Sequence, residues 1–451
     1  MASCFVQMCR DYSHHFVVRG KDVGAHARHY LSGLLGKERR KNIERIESDV
    51  PESDYQGLQQ FITDSPWSHQ ALLEQVGREA GGLLGGHPQS ALYLDETSFV
   101  KKGELSVGVQ RQYCGRLGKT ENCQVGVFAC LGRGRHAALV DFRLFLPESW
   151  AQDQARCARA KVPEEKRVHE TKAQLALQMV RAARERGSAH AWIGGDEVYG
   201  GNLAFCAQLE DLGEIFLMDV GRDTVVWDAD PGPVVPPPPA QGRPRTQGQR
   251  TNLRACKRQV HKLVAAHFAT GSRKLTLRET TQGPLQARLW VREVWLWPQG
   301  AGQARRRLLV ARQEEDGSFK YSLSNAPAHT SWERLGRMQA QRFWIEQAFK
   351  EAKSELGMAH YEVRGWTGWH HHMALVCLAQ LFTVRERLAA LPDLPLLSTR
   401  DIVELLAHYL PRRQREEQEV LRQLAARHLR RRKAALSHQT KAKRHPHYLT
   451  M

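Results

Sequence analysis

His190-Ala-Trp-Ile-Gly-Gly-Asp196 is a short apolar run that ends on a carboxylate, and reading it as a strand decides the fold. Upstream, from about Thr171 to Arg186, apolar residues recur at the 3.6-residue spacing of an amphipathic helix. Downstream, Leu203 to Leu212 has the same helical spacing, and Ile215-Phe-Leu-Met-Asp219 is a strand again. Earlier in the chain Ala91-Leu-Tyr-Leu-Asp95 is another apolar strand ending on an acid. Gln124 to Leu131 and Ala137 to Leu146 follow as two strands joined by the Gly132-Arg-Gly-Arg135 turn. Three strands, a helix, a strand, a helix and a strand make an α/β arrangement.

The flanks differ in kind. Residues 1–85 have helical spacing in Tyr30 to Leu35, Leu58 to Phe61 and Ala71 to Glu74, so a helical N-terminal domain precedes the α/β core, with DNA binding or packing as its roles. The core's first part spans 86–220. After Val220 the composition breaks: Pro231 to Pro239 is a polyproline-type spacer, and a basic run from Arg243 to Lys262 follows. Residues 275–325 alternate as strands do, so 221–326 is expected to be a basic, β-rich insertion. Helices return in 327–392, the second part of the core, and 393–451 is expected to be a basic C-terminal helix and tail.

The chain has 451 residues, 41% hydrophobic and 25% charged, which suits a soluble globular protein of two or three domains. Its net charge is +18. Pro231 to Lys274 holds nine Lys or Arg and no acid, hence +9, and Arg412 to Arg444 holds twelve bases against three acids, again +9. These two segments carry the whole excess, which points to dedicated contacts with a polyanion, nucleic acid first. Nine cysteines without a Cys-x2-Cys pair argue for reduced thiols rather than a disulfide frame or a zinc ribbon. Without a long apolar run or a signal-peptide pattern, the expectation is a cytoplasmic protein with no membrane partner.

Two acids at strand ends stand where α/β sheets place reactive groups, although either alone is more often a turn or helix-cap residue. A third acid lies in Arg342-Phe-Trp-Ile-Glu346-Gln-Ala-Phe-Lys350-Glu-Ala-Lys353. At about 100° per residue, Arg342, Lys353 and Glu346 fall at roughly 0°, 20° and 40°, with Lys350 near 80°. Trp344, Ile345, Ala348, Phe349 and Ala352 take the opposite arc. One face is therefore a core stripe, and the other is a carboxylate among three cations. Such i,i+4 pairs also occur on ordinary solvated helices, where each adds about 0.2–0.5 kcal/mol. Carboxylates gathered within a few ångströms must shift their pKa or bind a cation. An all-oxygen set suits Mg²⁺, with Mn²⁺ as substitute, in two-metal phosphodiester chemistry.

Asp95 in Tyr93-Leu-Asp-Glu-Thr-Ser-Phe-Val-Lys-Lys-Gly103, Asp196 in Gly195-Asp-Glu-Val-Tyr-Gly200, and Glu346 together resemble the DDE transposases of bacterial insertion sequences. The last segment is similar to the Tyr-x2-Arg-x3-Glu-x6-Lys signature of one branch, with Arg342, Glu346 and Lys353 in place and Gln339 where that signature has Tyr. Three further phrases look like the insertion sequence 701 family: Arg111-Gln-Tyr-Cys-Gly-Arg-Leu-Gly-Lys119, Tyr321-Ser-Leu-Ser-Asn-Ala-Pro327 and His360-Tyr-Glu-Val-Arg364-Gly-Trp366. The resemblance, over about residues 20–390, implies a ribonuclease-H-like catalytic core interrupted by the β-rich insertion. It also implies Asp95, Asp196 and Glu346 as catalytic and metal-holding residues. The partners would be terminal inverted repeats and target DNA, met by at least a homodimer in a bacterial, nucleoid-associated setting.

Within that reading Arg342, Lys350, Lys353, Lys101, Lys102 and Arg364 are candidate phosphate contacts. Glu96 and Glu197 are expected to project away from the acids beside them. Trp366 and Trp369 are core residues or base-stacking platforms. His370-His-His372 cannot converge on one ion, because consecutive helical positions face different ways. A relative that binds DNA without cutting it is the rival reading. A two-carboxylate glycosidase would need the acids but not the basic segments.

Overall fold

The computed structural model describes residues 1–115, 117–232, 234–235, 249–250, 252, 254–280, 283–297, 304–414 and 416–444. Most of the polyproline spacer, much of the basic run from Arg243, and the tail beyond Arg444 lie outside them. The chain forms two compact units. One comprises Met1–His69, Ala352–Val363 and Thr367–Met451; the other comprises Gln70–Glu351 and Arg364–Trp366.

The first unit is helical. Gly24–Leu34, Ile43–Asp49 and Tyr55–Thr63 are short helices, the last two capped by the side chains of Asn42 and Asp54. The long helix Trp366–Ala389 is apolar almost all round, and Met373 to Ala379 are within 1% of full burial, as befits a central helix. His371 lies in this core with Nδ1 and Nε2 each 2.9 Å from a carbonyl oxygen, of Ile62 and Trp67, and its ring stacks on Trp67. His372 Nδ1 meets the Tyr30 hydroxyl at 2.8 Å. The three histidines thus pack into the helical core. Trp369 is fully buried, which removes it as a stacking platform.

The C-terminal arginines of this unit also pair internally. Arg412 binds Asp49 at 3.0 Å, Arg413 donates to the carbonyls of Glu47, Val50 and Ser53, and Arg430 lies 3.7 Å from Glu44. Composition marked Arg412 to Arg444 as a polyanion surface; of its twelve bases, Arg412, Arg413 and Arg430 are anchors of the helical unit.

The second unit is built on one twelve-stranded sheet. Its strands are β1 (Ala91–Val100), β2 (Gln110–Cys114), β3 (Lys119–Arg133), β4 (His136–Leu144), β5 (Trp192–Gly195), β6 (Phe216–Val220), β7 (Val225–Trp227), β8 (Lys257–Gln259), β9 (Arg273–Thr280), β10 (Gly283–Leu296), β11 (Arg305–Gln313) and β12 (Phe319–Ser324). β4, β3 and β1 form an antiparallel meander; β5 lies parallel to β1, and β6 parallel to β5. The helix Lys172–Glu185 supplies the first crossover and starts in a capping box made by Thr171 and Gln174. Leu203–Asp211 supplies the second.

The β-rich segment does not make a sheet of its own. β12 pairs antiparallel with β6, and β11, β10, β7 and β8 extend the same sheet outward. Arg307, 2% exposed, fixes the join by binding Glu210 of the crossover helix at 2.9 Å. The helix Val260–Gly271, which begins at the end of the basic run, covers this wing with Leu263, Val264 and Phe268 against Trp290, Val294 and Leu309. Each such buried side chain contributes about 1.5–3 kcal/mol.

Candidate active site

Register brings three aspartates into one row. The last parallel pairs are Leu94 with Gly195 and Gly195 with Met218. The next residue on each strand is an acid: Asp95, Asp196 and Asp219. Sequence reading placed Asp95 at a strand end. In fact β1 runs on to Val100, held by antiparallel pairing with β3, and only its pairing with β5 stops at Leu94.

Asp196 caps the short helix Glu197–Gly200 by accepting the Val198 amide at 3.0 Å. Asp95 accepts the Glu96 amide at 2.7 Å. Glu96, expected to point away, instead joins the site: ligand oxygens of Asp95, Glu96 and Asp196 all lie within 4.8 Å of one another. Lys172 holds Glu96 Oε1 at 2.6 Å, and the Tyr199 hydroxyl donates to Oε2 at 3.3 Å. Glu197 lies outside this group, against Gly221.

Arg342 stands in the middle of the acids. It lies 3.0 Å from Asp219, 3.3 Å from Glu346 and 3.7 Å from Asp95. It was expected to face phosphate; its guanidinium instead turns inward and partly neutralises the row. Burial works against its charge, yet Asp219, Asp95, Glu346 and Asp196 together hold its pKa above the usual value. Glu346 is half exposed and tied to this arginine, outside the 4.8 Å group.

Of the remaining cations, Lys350 and Lys102 are exposed and Lys101 and Lys353 half-buried. Arg364 is exposed, and its carbonyl accepts the Val107 amide at 2.9 Å.

Asp219 was visible in the sequence as a strand residue but had no role there. Its support comes from a distant phrase. Gln339, 4% exposed, donates to Ser322 Oγ at 2.8 Å, and Ser322 donates to Asp219 at 2.6 Å. Asn325 fastens the same strand pair by accepting the Phe216 amide and donating to the Glu214 carbonyl, each at 2.8 Å. The Tyr321-to-Pro327 segment therefore staples β12 to the strand that carries Asp219. Gln339 contributes a buried hydrogen bond to that staple.

Burial first, then Asp196 and Glu96, push Asp95 up to about 7, against the pull of Arg342. Burial and Glu96 raise Asp196 in the same direction. An all-carboxylate group that resists its own ionisation fits a hard divalent cation, which binds the deprotonated form and relieves the repulsion. Binding must then displace the Asp95 proton. Mn²⁺ affinity is expected to rise about tenfold per pH unit below 7 and to level off above it. Calorimetric titration in buffers of different ionisation enthalpy should show about one proton released per ion at pH 6. A flat pH profile would contradict this.

The domain family described as DDE superfamily endonuclease matches residues 18–284, which include Asp95 and Asp196 and end before Glu346. The probable transposase for insertion sequence element IS701 of Microchaete diplosiphon is 24% identical over 337 residues, 73% of this chain and 74% of that protein. With that match over more than half its length, the chain belongs to the DDE superfamily of endonucleases.

Proposed function

We propose that the chain is a DNA transposase with a ribonuclease-H-like core, acting in the bacterial cytoplasm on terminal inverted repeats and target DNA. The observation that carries this is the adjacent pair Asp95 and Asp196, one step past the last parallel register pair, with Glu96 beside them. The strand order β4-β3-β1-β5-β6, an antiparallel meander followed by two parallel strands, supports the core assignment.

Both reaction steps are in-line displacements at phosphorus. First a water oxygen bonds to phosphorus, the bond to the 3′-oxygen breaks, and the element end is left as a 3′-hydroxyl. That hydroxyl then attacks a target phosphodiester, forming one P–O bond as another breaks, so no energy-rich cofactor is consumed. Bound Mg²⁺ or Mn²⁺ supplies activation of the nucleophile and stabilisation of the leaving oxygen. Asp95 and Asp196 hold the ions, with Glu346 as the third carboxylate. Arg342 keeps Glu346 and Asp95 around one guanidinium. Lys101, Lys102, Lys350, Lys353 and Arg364 bind strand phosphates. Two ends must be paired, so the bound form is at least a homodimer.

Glu96 is the second candidate for the third carboxylate, because it already lies within 4.8 Å of both aspartates. Comparing Glu346→Gln with Glu96→Gln in Mg²⁺-dependent cleavage of end-containing DNA decides between them. Glu346→Gln is expected to lose roughly a thousandfold, as loss of several kcal/mol of charge stabilisation implies. Glu96→Gln is expected to lose about 10–100-fold, as for a group that orients ligands. The reverse ranking would move the third carboxylate to Glu96.

A further inference from the structure

A second basic feature of the sheet remains unused by the chemistry above. On the outer wing, a groove of about 560 Å³ is lined by Lys257 and Arg258 of β8, Lys262 and His267 of the covering helix, and Arg292 of β10. Its one acid, Asp228, lies 3.5 Å from Arg258. Lys257 rests 5.3 Å over the Trp227 ring, which stiffens its stem without neutralising it. Lys257, Lys262 and Arg292 have no acid within salt-bridge distance among the described residues, unlike the C-terminal arginines spent on Asp49, Glu44 and Glu47. A folded protein that keeps such cations together in a concavity pays a repulsion that only an anion relieves.

The distance to the acids is set by the sheet. From β5, at whose end Asp196 lies beside Asp95, the order runs through β6, β12 and β11 to β10, then β7 and β8. Strands lie about 4.8 Å apart, so β10 is about 19 Å and β8 about 29 Å from that pair. With one base pair per ~3.4 Å along a duplex, that span corresponds to about six to nine base pairs.

We propose that this groove grips the phosphate backbone of duplex DNA about six to nine base pairs from the phosphodiester that is cut, and so sets where the end lies over the aspartates. The proposal rests on the transposase reading above. It assigns end positioning to the outer wing of the sheet, not to the C-terminal helix.

The test is the full-length triple variant Lys257→Gln/Lys262→Gln/Arg292→Gln, assayed for affinity to an end-containing duplex across a salt series and by hydroxyl-radical footprinting. Three lost phosphate contacts should lower the slope of log affinity against log salt by about 2.7 and weaken binding about a hundredfold near 0.15 M salt. Protection should vanish about six to nine base pairs from the cut and persist at the cut itself. Lys257→Arg/Lys262→Arg, with Arg292 retained, should keep the wild-type slope, and the melting temperature of each variant reports its folding. An unchanged slope and footprint in the folded glutamine variant, with wild type bound, overturns the groove and leaves the transposase reading standing. Wild-type protein without salt-dependent affinity for DNA overturns both. Loss of protection confined to the cut site also overturns the groove.

Discussion

Asp95→Asn is expected to abolish Mg²⁺-dependent cleavage and, in metal-free protein at pH 8, to raise the melting temperature by a few degrees. The two effects share one cause. Asp95 is 14% exposed and sits beside Asp196 and Glu96, so its carboxyl titrates near 7 rather than near 3.8. A carboxyl whose folded pKa lies above its unfolded one costs stability as pH rises between the two values. Below about pH 4 both states hold the proton and nothing is lost; above about pH 7 the whole cost applies. Asparagine keeps the shape and removes the charge, so at pH 8 it should recover on the order of 2 kcal/mol, and below pH 4 none. Cleavage should fall at least about a thousandfold, because an amide cannot replace the carboxylate that holds the ions. Thermal melts of both proteins at pH 4 and pH 8, with and without Mn²⁺, check this. Mn²⁺ should stabilise wild type at pH 8 and leave the variant unmoved. A variant that melts below wild type at pH 8 would refute the repulsive row.

Gly200→Ala is the second large effect, and it acts on the scaffold. A Cβ at residue 200 would lie 1.9 Å from the Asp219 carbonyl oxygen and 3.0 Å from Met218 Cβ. The obstacle is strand backbone, so no side-chain rotation relieves it. Either the helix Glu197–Gly200 lifts away, with Asp196 at its cap, or β6 shifts, with Asp219 and its hold on Arg342. Overpacking of this kind costs about 1–3 kcal/mol. A misplacement near 1 Å at the reacting groups should cost about a hundredfold in cleavage. Gly81→Ala is the control: nothing lies within 4 Å of its Cβ, and alanine suits a helix interior. Melting temperature and cleavage rate should both fall for Gly200→Ala and hold for Gly81→Ala. Wild-type cleavage by Gly200→Ala would show that the row tolerates movement.

What the sequence determined by itself is local. Apolar periods placed β1, β3, β4, β5 and β6 and the helices between them, because strand and helix spacing are written in consecutive residues. Asp95 and Asp196 were legible because each closes an apolar run, although only Asp196 also ends its strand. Charge counts found the two basic segments but not their uses. Whether an arginine meets an acid of its own chain depends on contacts hundreds of residues apart, such as Arg412 with Asp49.

Only the tertiary structure decided the rest. Parallel register set Asp219 beside Asp196, and nothing near Met218 announces that pairing. Helical spacing put Arg342 next to Glu346, and the two do pair from the turn before the helix Phe343–Ser354, yet spacing could not say that Arg342 also reaches Asp95 and Asp219. Strand alternation sent Glu96 away from its neighbour, whereas Lys172 and the Tyr199 hydroxyl hold its carboxylate beside the aspartates. Periodicity sets the face on which a residue lies, whereas the site depends on which faces meet. That meeting is a property of register between strands distant in sequence.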